Sequence, residues 1–90
     1  MRTDRALFAA VRALPHMAIT KRDGEYRVSY RLASITRADQ GKHDADWRRD
    51  HAERVAYYTT DREDAAATAL SLSAQMVRFL DRIAESEAGR

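Results

Sequence analysis

MAITKRDGEYRVSYRL, residues 17–32, is the stretch whose reading decides the fold. Met17, Ile19 and Lys21 share one parity, Tyr26, Val28, Tyr30 and Leu32 share another, and Asp23-Gly24 stands between the two runs. Alternation of period two sends successive side chains to opposite faces of a strand. Asp-Gly suits a two-residue hairpin turn because both central residues there need positive φ. A two-residue loop also fixes the register, setting Arg22 opposite Glu25, Lys21 opposite Tyr26, Ile19 opposite Val28 and Met17 opposite Tyr30. In that register the apolar residues gather on one face. His16, Thr20, Arg22, Arg27, Ser29 and Arg31 fall on the other, which is expected to face water. Ile35 breaks the parity after Ala33-Ser34, so the second strand ends or bulges there.

Working outward, Leu7, Phe8, Val11 and Leu14 fall at helical spacing between Asp4 and Leu14, with Thr3 or Asp4 to cap the start and Pro15 to stop the run. On the other side, residues 36–52 carry 10 charged or histidine side chains and a single large apolar one, Trp47, and read as a long polar insertion. Val55, Tyr57, Tyr58 and Thr59 then suit a third strand. Thr60 to Glu63 reads as a capping box, with acidic residues set against the positive end of a helix dipole. The helix that follows has two adjacent apolar seams and runs to about Ser86, roughly 39 Å at 1.5 Å per residue. Strands of seven or so residues span only about 23 Å. Its last turns therefore overhang the sheet, leaving Val77, Phe79, Leu80 and Ile83 in need of cover from the first helix or from a second copy of the chain. The expected architecture is α+β in the order α-β-β-β-α, a three-stranded antiparallel sheet with both helices on one face, in a single domain spanning residues 1–90.

Composition fits one small core: 90 residues, 44% hydrophobic, 33% charged, with 3 Gly and 1 Pro. The absence of cysteine excludes disulfides and thiol chemistry, and points to a cytoplasmic, reducing setting. The longest uncharged stretch, Ala65 to Val77, is far short of the roughly 20 apolar residues of a membrane span. Charge is nearly balanced at +2, although residues 1–60 carry 12 cations against 8 anions.

Few residues suggest chemistry. His43, Asp44, Asp46, Asp50 and His51 are of metal-ligating types, but two histidines eight apart match no common ligand spacing, and Lys42, Arg48 and Arg49 compete for the carboxylates. No nucleophile elbow or phosphate-cradling glycine loop is present. The expectation is a protein without enzymatic activity, metal or cofactor. On the wet face of the hairpin Arg22, Arg27 and Arg31, with Arg37 beyond, are candidates for phosphate contacts. The element order also matches a double-stranded-RNA-binding domain. That family presents lysines at the start of its second helix, where this chain reads Asp61-Arg62-Glu63-Asp64.

The run Ala56-Tyr57-Tyr58-Thr59-Thr60-Asp61-Arg62-Glu63-Asp64-Ala65-Ala66-Ala67-Thr68-Ala69, with Gly24-Glu25-Tyr26-Arg27-Val28 before it, resembles segments of small uncharacterised proteins of proteobacterial genomes and their prophages. Small sandwiches of this shape also occur among phage-encoded inhibitors of bacterial defence systems, including some anti-CRISPR proteins. The resemblance implies a bacterial or prophage protein that inhibits a host or defence protein, and it carries over no functional residue. The leading expectation is a protein-binding module, self-associating or bound to another protein, with Trp47, Val77, Phe79, Leu80 and Ile83 as its contacts. Nucleic-acid binding through Arg22, Arg27, Arg31 and Arg37 is the alternative.

Overall fold

The computed structural model describes residues 3–89. Its elements are α1 (Asp4–Ala13), β1 (Met17–Arg22), β2 (Glu25–Tyr30), α2 (Leu32–Asp39), α3 (Ala45–Arg54), β3 (Tyr57–Thr59) and α4 (Arg62–Ala88). The chain is α+β, with one antiparallel sheet in the order β1-β2-β3.

The hairpin has the register expected from its turn, from Arg22 opposite Glu25 to Met17 opposite Tyr30. Asp23 and Gly24 sit at φ 52° and 78°, the double positive φ of a type I′ turn. Met17, Ile19, Tyr26 and Val28 are buried on one face against Leu7 and Val11 of α1 and Ala65 and Ala69 of α4. The alanines let α4 approach β2 and β3 closely, while α1 lies along β1. Thr3 caps α1 by accepting from the Ala6 N–H. His16, at φ 71°, turns the chain from that helix into β1.

Asp4 ties the near end of this core together. Its carboxylate accepts from Lys21 Nζ and Arg62 Nε, both at 2.7 Å, and from the Tyr26 hydroxyl. The three donors, Lys21 foremost, hold the Asp4 carboxyl well below the usual carboxylate range.

The structure corrects five expectations. Residues 36–52 are not an irregular insertion: the chain enters α2 directly after β2, and Asp44 starts α3 by accepting from the Trp47 N–H at 2.8 Å. Leu32, read as a strand residue, opens α2 and is exposed. Nor is the second face of the sheet open. Arg49 and Ala52 of α3 lie beside Ala18, Arg27 and Ser29, so that Ser29 and Ala52 are buried and helices occupy both sides. His16, expected on the surface, is half-buried with its Nδ1 2.8 Å from the Ser34 hydroxyl. Burial and the nearby charges of Arg37 and Arg31 push its pKa down. Finally, α4 is capped by Asp61 rather than Thr60, because a carboxylate accepts two N–H groups at once, here from Glu63 and Asp64.

The overhang of α4 exists and is covered in part from within the chain, Phe79 staying exposed. Ile35 of α2 and Met76 and Leu80 of α4 are buried where the two helices meet, and Gln40 donates to Glu87 at 3.2 Å near the end of α4. Neither α1 nor a second copy was needed to bury Leu80.

Candidate partner-binding cleft

The turn between α2 and α3 is built around one carboxylate. The side chain of Asp39 is only 3% exposed. Its Oδ1 accepts from His43 Nδ1 at 2.6 Å, and its Oδ2 accepts from the His43 N–H at 2.9 Å and from Arg48 Nη1 at 3.4 Å. These bonds, His43 first, hold the Asp39 carboxyl below its ordinary value. Gln40 and Gly41, both at positive φ, let the backbone reverse over this carboxylate, and Arg48 donates in addition to the His43 carbonyl.

His43 then lies flat on Trp47, with ring centroids 3.8 Å apart and planes 11° apart. One helical turn further on, His51 stacks on the other side of the same indole at 4.9 Å and 7°. Trp47 and His51, four apart on α3, are neighbours on its surface, while His43, just before the Asp44 cap, is held over the indole by its bonds to Asp39. The stack keeps the two imidazoles apart, with an indole between them. Among the described residues no group of three or more His, Cys, Asp or Glu is placed to hold a metal ion.

Trp47 and His51 form one wall of a cleft of about 220 Å³; Met76 and Phe79 of α4 face them, with Ile35 and Ala38 of α2 at the base. A wider trough of about 420 Å³ continues past His51 and Phe79 toward Gln75, Arg78 and Arg82. Trp47 is half-buried, and Phe79 keeps 41% of its surface exposed. Two of the expected contact residues, from elements far apart in sequence, therefore meet on one surface. The other three do not join them: Leu80 is buried, while Val77 and Ile83 are half-buried and neither lines the cleft. Reading the sequence for large apolar residues missed Met76, His51 and Ile35 as cleft residues. The one available signal was the i, i+4 spacing of Trp47 and His51 after the Asp44 cap.

The expected phosphate-binding arginines are dispersed. Arg27 donates to Glu53 from Nε and Nη2, at 3.1 and 2.9 Å, and Nη1 reaches Ser29. Tyr58 donates to the other Glu53 oxygen. Arg31 closes the open end of the hairpin, donating to the Met17 and Arg12 carbonyls at 2.7 and 2.8 Å. Arg22 stands at the turn, about 20 Å from that end on a strand of six residues. Arg37 is on α2. The groove beside the hairpin turn mixes Arg22 and Arg27 with Asp23, Glu25 and Glu53, which neutralises a basic surface. As for nucleophilic chemistry, Ser34 pairs with His16 but is buried, and among the described residues no carboxylate is hydrogen-bonded to that histidine.

The chain matches no family model, no curated protein and no solved structure. No helix of the described residues is long and apolar enough to cross a membrane. The class these observations define is a small α+β chain with a half-open aromatic cleft between its added helices and the second half of its long one.

Proposed function

We propose that the chain is a protein-binding module without enzymatic activity, and that the cleft between α2, α3 and α4 receives an apolar side chain of the partner. The observation that carries this reading is the convergence of Trp47 and Phe79 on one apolar cleft whose walls are incompletely buried. Aromatic anchors and pockets of this kind concentrate binding energy at protein interfaces. Met76 adds an adaptable, polarizable surface. At about 220 Å³ the apolar end is smaller than the roughly 300–1,000 Å³ of small-molecule sites, and a single side chain suits it better than a cofactor. The hairpin arginines give less support to the nucleic-acid alternative, because Arg27 and Arg31 spend their donors inside the chain.

The test is to pan a displayed random-peptide library on the immobilised chain and, in parallel, on the Phe79→Ser variant. Phe79 is exposed enough for the substitution to leave the fold intact. The expected result is a pool with an aromatic or branched apolar anchor, retained by the chain and lost from the variant. No enriched pool, or equal retention by both, would refute the reading.

A further inference from the structure

Resting on that reading, we infer that the segment bound in the cleft is acidic, with carboxylates flanking its apolar anchor. The inference comes from the rim. Lys42 stands at the α2–α3 end of the cleft, and Arg78 and Arg82, one helical turn apart on α4, stand along the trough that continues from it. None of these three cations makes an ion pair with the described residues. Elsewhere Lys21 and Arg62 are committed to Asp4, Arg27 to Glu53, Arg48 to Asp39 and Arg49 to Asp46, while other cations without an ion pair among the described residues, such as Arg5, Arg22 and Arg54, line neither part of the cleft.

The single acidic side chain lining either part of the cleft is Asp39, and both its oxygens are already held by His43 and Arg48. An apolar floor with unpaired positive charge around it therefore has no internal counter-charge to offer. A basic partner would meet like charge on the rim and an apolar one would leave the cations unanswered. An acidic segment with an aromatic or branched anchor satisfies both parts. Complementary rim charges of this sort act mainly on association rate and specificity and are weakened by salt.

The trough is open along its length, between α4 on one side and α2 with α3 on the other, which suits a run of chain more than an enclosed ligand. Trp47 is the sole tryptophan, so its emission reports occupancy with no label.

The test pans the same random library on the wild-type chain and on the Arg78→Glu/Arg82→Glu double variant, then titrates synthetic copies of the enriched peptides while following Trp47 emission at low and near-physiological salt. Light scattering gives the mass in the same buffers. The expected wild-type pool carries Asp or Glu on at least one side of its anchor. Its affinity should fall roughly tenfold on the double variant, as two exposed charge contacts are reversed, and should weaken as salt rises. The double variant should enrich basic flanks around the same anchor.

A wild-type pool with an apolar anchor and no acidic bias, bound equally by the double variant, would overturn the inference and leave the protein-binding reading standing. No enriched pool at all would overturn both. Two further outcomes would also overturn the acidic segment: a dimer abolished by Phe79→Ser would make the occupant a second copy of this chain, and a labelled oligonucleotide bound through Arg78 and Arg82 would put nucleic acid there.

Discussion

The two ends of the molecule hold together by different means. At the hairpin end, α1, the sheet and the first half of α4 bury a continuous apolar cluster, with Leu7, Met17, Val28, Ala65 and Ala69 fully enclosed. At the other end, α3 buries only Ala52, α2 buries Ser34, Ile35 and Asp39, and order comes from a caged carboxylate, a helix cap and a stack of rings. Apolar burial is non-directional and scales with area, so the first end is stable however its surface varies. Polar ties depend on each partner, and a region made from them opens more easily. The contrast places a rigid scaffold beside a looser lobe, and the aromatic cleft lies on the looser side.

The largest effect expected anywhere is at the scaffold. Leu7→Ala should cost about 3 kcal/mol in urea denaturation, because it empties a fully buried site that both helices and the sheet close around. A loss well under 1 kcal/mol would mean that the two ends do not differ as described.

Acid should separate them by a different route. Asp39 has its folded pKa depressed below 3.8 by His43 and Arg48, so its ties contribute stability above the unfolded value and lose it as pH falls through the folded one. Amides of α2 and α3 should then exchange faster while those of β1 and β2 stay protected. Asp4 is likewise held well below the usual carboxylate range by Lys21, Tyr26 and Arg62, and the apolar cluster behind it keeps the scaffold closed in acid. Simultaneous opening of both ends would contradict the separation.

Trp47→Ala removes two ring contacts and part of the cleft wall, at an expected cost of about 1–2 kcal/mol, less than Leu7→Ala and enough to abolish binding. A cost of several kcal/mol would make Trp47 a core residue instead. Gly24→Ala should cost about 1 kcal/mol: a Cβ there would meet no atom within 4 Å, and the penalty comes from φ 78° alone. Smallest of all, Phe79→Ser should change the melting free energy by less than about 1 kcal/mol while eliminating peptide retention.

The same division decided what could be read from the sequence. Strict alternation around Asp23-Gly24 carried the strands, their register and the buried set, because a hairpin with one apolar face has a single consistent pairing. The helices α2 and α3 escaped because periodicity is sought among apolar residues. In α2 two of the three buried positions are Ser34 and Asp39, and α3 has one small buried alanine. Their signals were local instead: Asp44 as a cap three residues before Trp47, with His51 and Arg54 in the last turn. Missing them made α4 look uncovered, since Ile35 had no helix to belong to. Trp47 and Phe79 were legible as contact candidates, but their meeting depends on how α3 packs beside α4, which no local pattern encodes.

Amide hydrogen exchange, on the free chain and with a saturating retained peptide, tests the central claim most directly. The account predicts slow exchange across α1, β1, β2 and the first half of α4, faster exchange across α2 and α3, and new protection on binding confined to α2, α3 and the Met76–Arg82 stretch of α4. Uniform protection of the free chain, or protection gained along β1 and β2, would contradict it.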